Sequence, residues 1–217
     1  MNQSEEHLKQ LTEIRTMMER SSRFISLSGL SGIFAGLFAL IGAAAAIVCL
    51  NIRFPYGEFL INDSNSLSRK EVMYFFFADA STVLLASFVV SIWLTFNRAR
   101  QAGLPVFNSA ARRLFINMFV PLVSGGIFCL IAYFKYGYVG FIAPLMLLIY
   151  GLSLLNASKY TLDDVRYLAY AEIVLGLLAF YYIGYGLIFW SIGFGIMHII
   201  YGVWMWNKYE RKAPSID

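Results

Sequence analysis

Long apolar runs separated by short polar segments make up most of the chain. A membrane helix needs about 20 mostly apolar residues to cross a hydrocarbon core of about 30 Å. Six runs are continuous enough to do this: Phe24–Leu50, Val72–Phe96, Leu114–Phe134, Tyr138–Leu155, Tyr167–Tyr185 and Leu187–Trp206. The pattern therefore predicts an all-α, polytopic integral membrane protein with a bundle of six transmembrane helices.

Composition leaves little room for anything else. Hydrophobic residues are 59% of the 217-residue chain and charged residues 14%, whereas soluble domains carry about 45–50% apolar and about 25% charged residues. The first apolar run is longer than a signal-peptide core of about 7–15 residues, so we expect it to stay as an anchor. The predicted organisation is a cytoplasmic helix over residues 1–22, a transmembrane domain over residues 23–207 and a cytoplasmic tail over residues 208–217.

The positively charged residues fall mostly on one side of this arrangement. Of the 17 Lys and Arg residues, 13 lie in the N-terminus, the second and fourth loops and the tail, and 4 lie in the outer segments. Cytoplasmic loops carry such an excess, so both termini are predicted to face the cytoplasm from a plasma (bacterial inner) membrane. The net charge of +4 follows from the same bias and does not indicate a nucleic-acid partner.

An amphipathic helix is predicted before the first span. Leu8, Leu11, Ile14 and Met18 recur at helical spacing, with charged residues on the other faces. This stripe could hold the helix on the inner leaflet of the lipid bilayer, or it could bind a protein partner or a second copy as a short coiled coil. Both alternatives stay open.

The six spans are predicted to form three helical hairpins in tandem. Each hairpin begins after a cytoplasmic arginine (Arg23, Arg113 or Arg166), and small residues follow deeper in the span. A true triplication would give parallel repeats about an axis along the membrane normal, but hydropathy alone also makes hairpins resemble one another. The first outer loop, residues 51–70, is expected to be an irregular cap, and the other two outer loops are very short.

Small residues in the first span predict a close helix contact. Ser28, Gly32 and Gly36 stand four residues apart and so share one stripe of a helix. Small residues on one stripe let a neighbouring helix approach closely within a membrane. Ser191 and Gly195 form a similar pair in the sixth span. We therefore predict a packing seam on each of these two spans.

Four ionisable residues within or at the ends of the spans are candidate functional residues, because charged groups in a membrane are costly. They are Asp79, Lys135, Glu172 and His198. Glu172 and His198 lie at similar depth in adjacent spans, displaced from the midplane toward the cytoplasm, and are predicted to pair. Asp79 with Lys135 is a second, less constrained pair.

The Glu172–His198 pair admits two interpretations. It is either a satisfied buried pair that fixes the register of two helices, or a proton-titrating or ligand-binding site, since histidine changes charge near neutral pH. One histidine and carboxylates at different depths predict neither a metal site nor a haem site, and no cofactor is expected.

Motifs of common enzymes are not found in the sequence, which contains no GxxxxGK[ST], HExxH or GxSxG. Asp163 and Asp164 stand together in the fourth loop, and paired carboxylates can hold Mg²⁺ with a phosphate. We favour another role, in which Thr161 caps a helix and the acids interact with its dipole. No catalytic residue is predicted.

The chain resembles the HdeD-like family of small six-helix bacterial inner-membrane proteins. The resemblance covers the spanning region and rests on hydropathy together with scattered glycines: Gly29, Gly32, Gly36, Gly176 and Gly202. It implies a six-helix membrane fold and a role in acid resistance. The amphipathic N-terminal helix and the long first outer loop depart from the family pattern, and no functional residue is carried over.

Two functional hypotheses follow from the sequence. The first is a non-catalytic membrane protein with a structural or regulatory role, which senses the membrane or a partner through its N-terminal helix. The alternative is a transporter or channel for a small molecule or ion that uses intramembrane polar residues. Transporters have broken spans with polar groups near the midplane, and Pro121 and Pro144 could break spans three and four.

Overall fold

The computed structural model describes residues 28–52, 54–55, 69–101 and 109–211. The predicted amphipathic helix with Leu8, Leu11, Ile14 and Met18 lies outside the described residues. Most of the first outer loop and the end of the tail do so as well.

The described residues form helices joined by short turns. The helices are α1 (Gly29–Cys49), α2 (Arg69–Gln101), α3 (Ser109–Phe134), α4 (Val139–Ala157), α5 (Val165–Tyr181) and α6 (Gly186–Glu210). A single 3₁₀ turn, Ser158–Tyr160, follows α4. No strand occurs within these ranges, so the predicted all-α class is confirmed.

Five of these helices are long and apolar enough to cross a membrane: α1, α2, α3, α4 and α6. Helix α5 has 17 residues, which corresponds to about 25 Å of helix. That length stands at the lower limit of a membrane span. Length and composition thus support a membrane protein, with α5 as the shortest of its helices.

Two features of the helices differ from the sequence prediction. Helix α5 ends at Tyr181, four residues before the predicted end, because Gly184 adopts a left-handed conformation with φ of 98° and turns the chain before α6 begins. Pro121 and Pro144 do not end their helices, which continue on both sides of them. The irregular helix is α6, which has π geometry at Ser191–Met197 and Trp206–Glu210.

Helix α6 is the centre of the bundle. It packs against α1 on one side and against α4 and α5 on the other. Helix α1 also packs against α2, and α4 packs against α3 and α5. Aromatic rings complete the contact between α2 and α3, for example Phe77 with Phe134 at 5.2 Å and Phe88 with Phe119 at 6.1 Å between centroids.

Glycines set the close approach of α1 to α6. A Cβ atom built on Gly36 would lie 2.5 Å from the carbonyl oxygen of Gly195, and one on Gly32 would lie 3.2 Å from the Cα atom of Gly202. Backbone therefore faces backbone along this contact, which a larger residue on either helix would prevent. Gly29 continues the contact in place of Ser28, because its Cβ would meet the backbone of Trp206.

Polar contacts join α6 to its neighbours at one end of the bundle, here called the Lys208 end. The Glu210 carboxylate accepts hydrogen bonds from the Gly29 amide and from Arg98, the latter at 3.0 Å. The Ser28 hydroxyl lies 3.5 Å from both carboxylate oxygens of Glu210. A carboxylate at the start of α1 is favoured by the helix dipole, so Glu210 caps α1 from a distant part of the chain.

The helix cap at Thr161 stays a prediction, and the structure shows a different role for Asp164. Helix α5 begins at Val165, and the Asp164 side chain before it makes no capping hydrogen bond. Its carboxylate instead accepts hydrogen bonds from Lys208 at 2.6 Å and from Tyr209 at 2.7 Å. Burial raises the pKa of the Asp164 carboxyl, but these two hydrogen bonds outweigh burial and hold the pKa below its ordinary value. Asp164 therefore fastens α5 to α6.

The glycine contact predicts that Gly36→Ala destabilises the bundle by about 1–3 kcal/mol, the range for overpacked sites. The added methyl group would press on the Gly195 carbonyl, which belongs to a rigid backbone. Gly126→Ala is the matched control, since no atom lies within 4 Å of the Cβ position there. Unfolding in mixed detergent micelles measures both changes. Equal stability of the two variants would contradict the contact.

Candidate functional site

Helices α4, α5 and α6 bring three polar side chains together inside the bundle. The Nδ1 atom of His198 lies 3.4 Å from Oε1 of Glu172, and the Tyr150 hydroxyl lies 2.8 Å from Nε2 of the same imidazole. Glu172 is completely buried, and His198 is 6% exposed. The two side chains that the sequence pairs are thus in contact, and Tyr150 is a third member that the sequence reasoning missed.

The site lies at the middle of the helices that form it. His198 is the central residue of the 25-residue α6, about 18 Å from either end at 1.5 Å per residue. Tyr150 and Glu172 also stand near the midpoints of α4 and α5. His198 thus lies nearer the middle of α6 than the predicted bounds of this span imply, because α6 extends past its predicted end at Trp206.

The hydrogen bonds of His198 assign its protons. The Gly193 carbonyl lies 2.9 Å from Nδ1 and can only accept, so Nδ1 carries a proton. In the neutral imidazole Nε2 is then an acceptor, and the Tyr150 hydroxyl donates to it. The imidazole is held from both sides, and its Nδ1 atom lies 3.4 Å from Oε1 of the Glu172 carboxyl.

Glu172 lacks the hydrogen bonds that a buried carboxyl needs. Its 3.4 Å separation from Nδ1 is longer than the 2.7–2.9 Å typical of a charge-assisted hydrogen bond. Three buried side-chain oxygens in the described part of the chain have no hydrogen-bond partner, namely both oxygens of Glu172 and the hydroxyl of Tyr201. Each such atom costs about 1–3 kcal/mol, and two of the three belong to Glu172, which makes this carboxyl the candidate functional group of the bundle interior.

The π segment of α6 shapes the site. A π turn relates residues five apart, which brings Gly193 to the same side of the helix as His198. A regular α-helix, with 3.6 residues per turn, would separate them by more than a third of a turn. Gly193 also leaves room for the carboxyl, because a Cβ there would lie 2.6 Å from Oε2 of Glu172. Single π turns occur frequently at functional sites.

The other predicted pair is not formed. The Asp79 carboxylate of α2 faces α1, where a Cβ on Gly42 would lie 3.2 Å from its Oδ2 atom. The Lys135 ammonium lies beyond the end of α3, 5.5 Å from the centroid of the Tyr136 ring. Asp79 and Lys135 therefore belong to different surroundings, and neither reaches the Glu172 site.

Metal-ligating side chains do not converge among the described residues, where no group of three or more His, Cys, Asp or Glu could hold a metal ion. The two cysteines are separate, with Cys49 exposed at the end of α1 and Cys129 buried in α3.

Comparison with known proteins yields no match: no protein-family model, no curated protein and no solved structure is similar to this chain.

The contact between Glu172 and His198 predicts a specific order of stabilities. His198→Leu leaves the buried carboxyl without its nearest donor and should destabilise the bundle by about 1–3 kcal/mol. The double variant His198→Leu with Glu172→Leu should be more stable than the single one, since it removes the stranded group. Tyr150 loses its hydrogen bond to His198 in both variants, so this loss cancels when their stabilities are compared. A further loss of stability in the double variant, measured by unfolding in mixed micelles, would refute the pairing.

Proposed function

We propose that the protein is an integral membrane protein with six spans as three hairpins and with both termini in the cytoplasm of a bacterial cell. The contacts at the Lys208 end support this topology. They gather the start of α1 at Gly29, the end of α2 at Arg98, the start of α5 at Asp164 and the end of α6 at Glu210. A chain whose successive helices cross the membrane in opposite directions, with α5 as a full span, brings these four helix ends to one side. The excess of Lys and Arg assigns that side to the cytoplasm.

Reporter fusions test the topology. A reporter placed after Asp217 should be active only in the cytoplasm, and one inserted beside Asn62 only on the opposite side of the membrane. The physical reason is that each hairpin returns the chain to the side from which it entered. Activity of both reporters on the same side would contradict the count of six spans.

Within this framework, we propose proton-linked transport of a small solute or ion, with Glu172 as the group that takes up and releases the proton. The supporting observation is the completely buried carboxyl of Glu172 at mid-depth, without a hydrogen bond and 3.4 Å from an imidazole. An intramembrane ionisable residue of this kind is typical of proton pathways. His198 contacts this carboxyl, and Tyr150 contacts His198.

A structural or regulatory role is the second candidate. The dense burial of Glu172 and His198 favours a pair that fixes the register of α5 and α6 and exchanges nothing. In that case the protein acts through its N-terminal helix, whose stripe of Leu8, Leu11, Ile14 and Met18 stays a prediction. The two candidates differ in whether a proton ever reaches Glu172 in the folded bundle.

A pH jump on proteoliposomes distinguishes these candidates. A proton that enters to mid-depth moves charge through part of the membrane, so the transporter gives a transient current after the jump. Glu172→Gln should abolish this current while the fold survives, because an amide keeps the shape but takes up no proton. Asp79→Asn, the matched change in α2, should leave the current in place. A current unchanged in Glu172→Gln, or absent from the wild type, would exclude the transport proposal.

The resemblance to HdeD-like proteins agrees with a proton-exchanging site. A role in acid resistance, which that resemblance implies, fits a protein that carries a group able to respond to proton concentration. This part of the proposal rests on the resemblance and on the Glu172 site together, and the same pH-jump measurement tests it.

A further inference from the structure

The proton on Nδ1 of His198 has two acceptors within reach. The carbonyl oxygen of Gly193 lies 2.9 Å from Nδ1, and Oε1 of Glu172 lies 3.4 Å from the same atom. The Tyr150 hydroxyl at Nε2 holds the ring in the tautomer that keeps its proton on Nδ1. This one N–H group can therefore donate to a carbonyl of its own helix or to the carboxyl of the neighbouring helix.

The acceptor that the imidazole uses indicates the charge of Glu172 in this arrangement. An ionised carboxylate is a stronger acceptor than a neutral carbonyl, since its hydrogen bonds are about 2.7–2.9 Å long and about twice as strong. Here Nδ1–H donates to Gly193, and neither oxygen of Glu172 has a hydrogen-bond partner. A neutral carboxyl tolerates missing partners better than a charged one. The geometry therefore fits a protonated Glu172.

The acceptor in use, the Gly193 carbonyl, belongs to the π segment Ser191–Met197 of α6. Its donor stands five residues further on, which is the spacing of a π turn. Gly195, in the same segment, packs against α1, where a Cβ atom would lie 2.5 Å from Cδ2 of Leu40. Loss of the bond at Gly193 removes one restraint on this segment, so its effect would reach the contact of α6 with α1.

Few other ionisable groups stand near this arrangement in the described bundle. Tyr150 of α4, and Tyr201 one turn beyond His198 on α6, are phenols that keep their protons near neutral pH. Helix α1 packs on the other side of α6 and has no acidic or basic residue within Gly29–Cys49. The charge on Glu172 is therefore the variable that decides which acceptor Nδ1–H uses.

We propose that His198 is a positioning residue that couples the charge of Glu172 to the conformation of α6. When Glu172 releases its proton, its carboxylate approaches Nδ1 and accepts the N–H bond, and the Gly193 carbonyl loses this donor. Proton uptake by Glu172 reverses the exchange. His198 stays neutral and keeps its own proton, so one proton leaves or enters, at Glu172. The coupling rests on the proposed proton uptake by Glu172 and adds how that uptake acts on the helix.

Solid-state NMR of the protein in lipid bilayers tests this exchange. The chain has 2 histidines, so His7→Gln leaves His198 as the one imidazole whose nitrogens carry an isotope label. Glutamate is labelled at the side-chain carboxyl carbon and glycine at the carbonyl carbon. As the pH is raised, the dipolar contact of Nδ1 with a glutamate carboxyl should strengthen. Its contact with a glycine carbonyl should weaken over the same pH range.

Two variants serve as controls. Glu172→Gln carries an amide that releases no proton, so the contacts of Nδ1 should not change with pH in this variant. Asp79→Asn is the matched change in α2 and should leave the response of the wild type in place. In every sample Nε2 should stay unprotonated, because the Tyr150 hydroxyl donates to it.

The same spectra report whether Glu172 titrates, through the resonance of its carboxyl carbon. A resonance that titrates while both contacts of Nδ1 stay constant overturns the coupling and leaves the proton site standing. A resonance that stays constant wherever the bundle is folded overturns the proposed function itself. A proton that appears on Nε2 shows that His198 titrates in place of Glu172 and overturns both. Should Glu172→Gln fold poorly, these outcomes in the wild type decide the question without it.

Discussion

A polar side chain inside a membrane bundle has to find its partners within the protein, because hydrocarbon offers it no hydrogen bonds. In this molecule the requirement falls on α6, whose His198 contacts Tyr150 of α4 and Glu172 of α5. These contacts hold three helices in one register at mid-depth. They satisfy both nitrogen atoms of the imidazole and leave both oxygens of the carboxyl without a hydrogen bond. That difference makes Glu172 the candidate for exchange and His198 the fixed element beside it.

The opposite side of α6 has to fit closely against α1. The two backbones are in contact there, at Gly195 and Gly202 of α6. Neither contact is compatible with a large side chain. The π segment Ser191–Met197 allows α6 to make both contacts, because its wider turn directs Gly193 and His198 to the polar site. At the Lys208 end, a second π segment contains Lys208, Tyr209 and Glu210. These three residues contact the chain at Asp164, Arg98 and Gly29. The irregular geometry of α6 is thus tied to what each of its faces has to contact.

Some of this arrangement could be predicted from the sequence, and the rest depends on packing. The depths of Glu172 and His198 follow from the helical rise, and the short turn before α6 makes their helices neighbours. The sequence could not predict which helix the Asp79 side chain faces. A helix that is apolar all round has no periodic pattern to show which of its sides packs against the bundle. The π segment and the Tyr150 contact likewise arise from several helices meeting. Tyr150 did carry one signal, a phenol at mid-span instead of at the membrane interface.

The central claim is that Glu172 gains and loses a proton inside the folded bundle. Infrared spectroscopy with isotope-labelled glutamate, in lipid and over the pH range in which the bundle stays folded, observes this directly. Subtracting the spectrum of Glu172→Gln isolates the band of this one carboxyl. We predict that the C=O stretch of the protonated form appears and disappears reversibly as the pH is changed. A band that stays constant over the whole range would show that Glu172 is a static structural group and would contradict the account.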